Sequence, residues 1–312
     1  MILVTGSSGL VGRAVVRQLM GQGLPVRSLV HEAPMPRLSR FPGSEPEQVV
    51  GDVRDPGSLQ AACKGVETVI HLVAVLRRRR DGDYRAINVE GTRNLLAAAE
   101  AAGARRFILV SALGATPDPR YAYAHSKWQA EELVRASSLA WTIFRPSLLF
   151  GEGGGFFEKL RQSLRFSPPG LAFVPRTQAR FQPLAAADLA RCIRISLTDP
   201  STHGETFELG GPQAYTLAEM ARLLLRVMDR HRLVVQVPIP VVRLAAWAGS
   251  RLINEPPLTQ QELELLTLAG PTDPDLIPRR FGLPPPEVEA GLGAPSRPPP
   301  PPGPRPPRGP PP

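Results

Sequence analysis

The sequence predicts an α/β chain on a doubly wound parallel sheet, followed by a small C-terminal lobe and a Pro/Arg-rich tail. Three observations carry that expectation. Short apolar runs alternate with helix-like segments through the first half of the chain. A glycine-spaced turn, Thr5-Gly6-Ser7-Ser8-Gly9-Leu10-Val11-Gly12, follows the first apolar run and opens the first helical pattern. The rhythm breaks after Gly151, where Gly153-Gly154-Gly155 and Pro168-Pro169-Gly170 punctuate a less regular stretch.

In order, the apolar pattern places a strand over 2–4, a helix over 11–20, strands over 25–30 and 48–50, and a helix over 56–64. A strand over 69–73 follows, then an Ala-rich helix over 89–101 with Leu95 and Leu96 inward. A strand over 107–110, a helix over 126–137 and a sixth strand over 141–144 complete the series. These strands read as nearly continuous apolar runs, as strands buried on both faces do. Their regular alternation with helices implies βαβ units. Later helices are expected over 188–197, 216–228 and 259–268; the second carries Leu217, Met220, Leu223, Leu224 and Val227 at helical spacing. The expected organisation is a dinucleotide-binding unit over 1–150, to which 180–200 returns, and a substrate or partner lobe over 151–293. The tail over 294–312 is mostly Pro with Arg297, Arg305 and Arg308, a composition that cannot bury a core and favours an extended, solvated chain.

Composition narrows the function. A net charge of +9, carried mostly by arginine, suits an acidic partner such as a phosphorylated cofactor, nucleic acid or an anionic membrane face. High Arg and Pro with few Lys reads more readily as the residue usage of a GC-rich genome. No aromatic interleaving or recognised module accompanies the charge, so no nucleic-acid partner is expected. Cys63 and Cys192 lie far apart and the five His are scattered. That argues against a disulfide framework or a metal site and fits a reducing, cytoplasmic setting. No basic leader precedes Ile2-Leu3-Val4, and no apolar run reaches the roughly 20 residues a membrane-spanning helix needs. The apolar stretch over 237–253, with Arg243 and Arg251, either packs on the second lobe or makes a peripheral membrane or partner contact.

The glycine turn sits where a strand meets a helix N-terminus. There, backbone N–H groups and the helix dipole attract a dinucleotide diphosphate. Gly6 permits the tight turn, Gly9 the close approach of the phosphates, and Gly12 the close packing of helix and strand. Ser7, Ser8, Leu10 and Val11 share the loop. Topology adds Asp52 and Val53 after the third strand, where Asp52 meets the adenine amino group or serves as a turn residue. Leu72, Val73 and Ala74 lie at the carboxyl edge of the fourth strand. At the end of the second strand, Val30 stands where an acid would hold the ribose diol of NAD, and His31 follows it. NADP(H) is therefore favoured over NAD(H), with Glu32 keeping NAD open and Arg37 and Arg40 further on.

Tyr123-Ala124-His125-Ser126-Lys127 sets a phenol and an ammonium four residues apart, on one face of a helix. A neighbouring Lys cation favours the phenolate, bringing a group of pKa about 10 toward acid/base use, and can hold the nicotinamide ribose. Ser111, at the end of the fifth strand, either hydrogen-bonds a substrate carbonyl or closes the strand. Asn88 either caps the following helix, the default, or orders a water near the active centre. The run Arg77-Arg78-Arg79-Arg80 is either a solvated charge run or faces an anionic ligand.

Together these residues resemble the short-chain dehydrogenase/reductase superfamily in its extended or atypical branch, the NAD-dependent epimerase/dehydratase type. The motifs fall in family order: the glycine turn, Gly51-Asp52, Asn88 to Thr92, the Tyr123/Lys127 pair, Arg145-Pro146-Ser147, Asp188-Leu189-Ala190 and Glu208-Leu209-Gly210-Gly211-Pro212. Val237-Pro238-Ile239-Pro240 and Pro256-Pro257-Leu258-Thr259-Gln260 are similar to the subgroup of the NAD(P)H-binding accessory subunit of respiratory complex I and its bacterial relatives. The resemblance covers the chain to about residue 290. It implies a cofactor site at Gly6, Gly9, Gly12 and Asp52, with Pro146 beside it. Lys127 would lie on the nicotinamide ribose, and Tyr123 would be the catalytic acid/base. A one-residue change of register would put Ala112 in place of Ser111. Two functions follow: an oxidoreductase or epimerase/dehydratase acting on a small molecule, or an NAD(P)H-binding structural, assembly or redox-sensing protein of the complex I type. The implied partners are a second copy of the chain or a respiratory complex.

Overall fold

The computed structural model describes residues 1–31, 45–75, 82–152, 154–165, 167–242, 268, 270–284 and 288. The expectations for Glu32, Arg37, Arg40, Arg77 to Arg80 and the tail over 294–312 lie outside these residues, as does nearly all of the helix expected over 259–268.

The chain runs β1 (Ile2–Thr5), α1 (Leu10–Met20), β2 (Val26–Val30), β3 (Glu47–Val50), α2 (Pro56–Cys63) and β4 (Thr68–His71). A π-helical segment, Tyr84–Glu90, runs into α3 (Gly91–Ala101). Then come β5 (Arg106–Val110), α4 (Ala122–Arg135), β6 (Ala140–Pro146), β7 (Leu149–Gly151), β8 (Gly154–Gly155) and α5 (Phe156–Arg165). The remainder is β9 (Leu171–Pro175), β10 (Arg180–Phe181), β11 (Leu184–Ala185), α6 (Ala186–Ser196), β12 (Glu205–Leu209), β13 (Tyr215–Thr216), α7 (Leu217–Val227), β14 (Leu233–Val237) and α8 (Leu276–Phe281).

Seven strands form the central sheet in the order β12-β6-β5-β4-β1-β2-β3, every pair parallel. This is the doubly wound sheet the alternation predicts. The two-residue period of the strands sends neighbours to opposite faces. Val4, Ile70, Ile108 and Phe144 face one core with Val15, Val16, Leu19, Leu189 and Ile193 of α1 and α6. Leu3, Val69, Phe107, Leu109 and Ile143 face the other, against α2, α3 and α4. A third core gathers Phe150, Phe157, Leu160, Val174, Phe181, Met220 and Leu224 beneath α5, α7 and β9. Helix α7 starts on a capping box, Thr216 with Glu219, that satisfies two otherwise orphan donors.

Two departures from the expected pattern shape the site. Helix α4 begins at Ala122 rather than near 126, without a side-chain cap, so Tyr123 sits in its first turn. The seventh strand, β12, was not expected: as an edge strand it alternates exposed Glu205 and Glu208 with buried Phe207 and Leu209, not the apolar run of an interior strand.

Candidate cofactor and active site

Strand order reverses between β1 and β4, and Gly6 lies at that switch point. Its φ of 71° suits glycine, and a Cβ there would sit 3.0 Å from the Leu72 carbonyl carbon and the Val73 nitrogen. Gly12 is tighter still: a Cβ on it would overlap the Gly6 oxygen and come within 2.5 Å of Ser7 Cα. The glycine therefore lets α1 press against its own loop, more than against the strand. Gly9 begins the helix, its N–H donating to the Gly6 oxygen at 3.1 Å. The helix start has neither a side-chain cap nor an acid in its first turn, and Ser8 and Gly9 are exposed beside it. Such a terminus offers N–H groups and positive dipole to an anion. Leu10 and Val11 are half-buried, Val11 against the first core. The Ser7 side chain is buried toward the Leu29 oxygen, and Arg13 donates to the Ser8 oxygen at 2.6 Å. A cradle that a Cβ would fill, above an uncapped helix, fits a dinucleotide diphosphate.

The adenosine corner lies where β2 and β3 end side by side, with Val30 opposite Val50. Asp52 is gripped there by Arg54, whose Nε reaches the two carboxylate oxygens at 3.0 and 2.9 Å. His31 Nε2 lies 3.2 Å from the same carboxylate and 3.3 Å from the guanidinium. The Arg54 hydrogen bonds hold the Asp52 carboxyl below its ordinary range. Val53 is buried against Gly91, where a Cβ would come within 2.7 Å of its methyl. Leu72, Val73 and Ala74 follow β4 at the carboxyl edge, half-buried to exposed. The sequence reading passed over Arg54, although a base two residues beyond Asp52 was the available signal.

Tyr123, Lys127 and Glu131 occupy successive turns of one face of α4. Lys127 is fully buried and donates to the Val110 oxygen at 2.9 Å; burial brings its pKa down to about 8 against the pull of Glu131. The Tyr123 ring stands edge-on to Tyr84, centroids 5.8 Å apart. Burial, with Tyr84 adding to it, pushes the phenol above its usual range. The expected lowering of Tyr123 by Lys127 is therefore not found in this arrangement, because desolvation outweighs it. Asn88 is no helix cap: it lies within the π-helical segment. Its Oδ1 accepts from Val75 N at 2.9 Å, and its Nδ2 donates to Ser126 Oγ at 2.9 Å. Ser126 Oγ in turn donates to the Tyr123 main-chain carbonyl oxygen at 2.7 Å. Asn88 thus ties the loop after β4 to the first turn of α4.

Beneath this face, Glu131 is fully buried. Arg145 grips it in a fork at 2.9 and 2.7 Å, Arg135 adds a contact at 2.9 Å, and Arg145 reaches on to Glu208 of β12. Burial alone would raise the Glu131 carboxyl, but Arg145, Ser111 and Arg135 hold it below its ordinary value. The Ser111 hydroxyl is buried without a well-aligned hydrogen bond, and lies close enough to Glu131 to help hold its charge. Pro146, which ends β6, is buried, and its oxygen accepts from Leu113 N at 3.1 Å. His71 is buried between Thr5 Oγ1 at 2.7 Å and Thr92 Oγ1 at 3.1 Å. Thr92 gives its proton to the Asn88 oxygen, which makes His71 Nε2 the donor in that contact. Burial and the Lys127 charge bring the His71 pKa down to about 3. Among the described residues no group of His, Cys, Asp and Glu could hold a metal ion, and no helix is long and apolar enough to cross a membrane.

Comparison with known proteins agrees with the fold and with a dinucleotide-binding family. A family model described as NAD(P)H-binding matches residues 6–168. The chain is similar to the ceramide reductase of Caulobacter vibrioides, 32% identical over 301 residues and 90% of each chain. It is similar to the 40 kDa subunit of NADH-ubiquinone oxidoreductase of Neurospora crassa, 26% identical over 84% of this chain and 69% of that one. A solved short-chain dehydrogenase/reductase superfamily protein from Agrobacterium tumefaciens with bound NAD superposes with a TM-score of 0.63. It is 29% identical over 76% of this chain and 86% of that one.

Proposed function

Because the chain belongs to the NAD(P)H-binding family, we propose that it is an NAD(P)-dependent oxidoreductase or epimerase/dehydratase acting on a small molecule through Tyr123 and Lys127. The observation that carries this reading is that one parallel sheet bears both a glycine cradle at its switch point and, beside the end of β5, Tyr123 and Lys127 on one face of α4, with Lys127 donating to the Val110 oxygen. The N–H groups from Gly6 to Gly12, with Ser7, Ser8, Leu10 and Val11, receive the diphosphate. Asp52, Val53 and His31 receive the adenosine end, and Leu72, Val73, Ala74, Asn88 and Pro146 line the crossing toward Lys127, which holds the nicotinamide ribose. The bound dinucleotide supplies or accepts the hydride. Tyr123 carries the proton exchanged with a substrate oxygen as the hydride moves. Ser111 offers the polar neighbour for the substrate carbonyl. NADP(H) is the preferred cofactor, since Val30 leaves no acid at the end of β2.

The test follows reduced-cofactor absorbance while the protein meets small carbonyls, quinones, sugar nucleotides and a ceramide-type lipid. Turnover in the parent and a loss of about a hundredfold or more in Tyr123→Phe is the expected result. A second reading has its own support. The likeness to a respiratory-complex subunit and the tie of Lys127 to the Val110 oxygen both suit a protein that holds NAD(P)H without turnover, as an assembly, structural or sensing partner in a homodimer or a larger complex. Tight cofactor binding with no consumption on any of these substrates would decide for it.

A further inference from the structure

The geometry points to Arg54, with His31 beside it, as the residue pair that selects a dinucleotide carrying an adenosine 2′-phosphate. This rests on the cofactor reading above and adds to it the group that makes the choice.

The register of β2 and β3 brings the ends of the two strands together, so His31 from one and the turn Gly51 to Arg54 from the other share one corner. Among the described residues, three ionisable side chains meet there within hydrogen-bond reach: Asp52, Arg54 and His31. The next acid along, Asp55, is spent on capping α2, its Oδ1 accepting from Gly57 N at 3.0 Å.

Arg54 changes the corner in two ways. A ribose diol, as NAD presents, calls for a carboxylate that accepts from both hydroxyls. Asp52 is the acid nearest to that role among the described residues of the corner, and its two oxygens already face the Arg54 fork. Its attraction for a diol is diminished accordingly. A 2′-phosphate calls instead for planar, permanently charged N–H donors, which a guanidinium provides and an ammonium provides less well. The fork on Asp52 also orients the guanidinium, so less side-chain freedom is lost when a phosphate arrives. The exposed imidazole of His31, 3.3 Å from Arg54, supplies a second nitrogen at the same place. The motif reading looked for the selecting base after β2; here it comes from the turn after β3.

Calorimetric or fluorescence titration with NADPH, NADH and 2′,5′-ADP tests this without any substrate. The parent protein is expected to bind NADPH at least about tenfold more tightly than NADH, and to bind 2′,5′-ADP. Arg54→Gln should weaken NADPH and 2′,5′-ADP by about tenfold while NADH stays within about twofold or tightens, as Asp52 is released. Arg54→Lys should retain part of the preference, and unfolding curves should show each variant as stable as the parent. Equal weakening of NADPH and NADH in Arg54→Gln would overturn the inference while the cofactor reading stands; a parent that prefers NADH would overturn both the inference and the proposed NADP(H) preference, leaving only dinucleotide binding. If neither dinucleotide binds the folded parent, the cofactor reading itself fails and the inference goes with it.

Discussion

Lys127 is a cation in an apolar setting, and its own stability cost can be measured. Its pKa stands at about 8 when folded, against 10.5 ordinarily. Between those values the unfolded chain holds a proton that the folded chain has released, so the stability contribution of this group rises with pH across that window. Below about pH 8 both states are charged and the full desolvation cost is present. Lys127→Met should therefore stabilise the fold by about 1–2 kcal/mol near neutral pH, after allowing for the lost bond to Val110. Paired urea titrations should show that advantage shrinking toward pH 10.5. A stabilising loss at the position proposed to hold the nicotinamide ribose would mark Lys127 as kept for function at the expense of the fold.

At the level of elements, α4, β6 and β12 are joined by one ionic group. Glu131 on the helix meets Arg145 on the strand, and Arg145 meets Glu208 on the edge. Glu131→Gln leaves Arg145 in a mostly buried place without its fork, at an expected cost of about 3 kcal/mol by denaturant unfolding. Because the folded carboxyl is held below 4.5, the stability it provides is present above that pH and fades as pH falls through the lower, folded value. The difference between parent and variant should close in acid. The elements also show what a sequence can disclose. Interior strands such as Phe107 to Val110 declare themselves because both faces are apolar, and the glycine turn because its backbone admits no Cβ. Strand β12 did not, since half its residues face solvent. The early start of α4 carried no capping residue to announce it, and the π-helical turn that turns Asn88 inward depends on packing against α4, which no local pattern records.

Across the whole molecule, the last described helix returns to the first-built sheet. Phe281 of α8 meets Phe207 edge-to-face, centroids 5.2 Å apart, and Phe144 in a tilted contact at 6.0 Å, with Ile277 buried beside it and Arg280 bound to Asp199 at 2.9 Å. Phe281→Ala should cost about 3 kcal/mol. Its melting curve should remain a single transition if α8 and the sheet unfold together, and should split in two if they do not.

That return has a consequence for synthesis. Strand β6 is complete at residue 146, but its neighbour β12 arrives at 205–209 and the aromatic cover at 276–281. At ordinary translation rates the growing chain waits on the order of ten seconds between Pro146 and Phe281. During that interval the edge of β6 lacks its partner until 205–209 are made, and Phe144 lacks its Phe281 cover until 281 is, so the hydrophobic face they close is completed only late in synthesis.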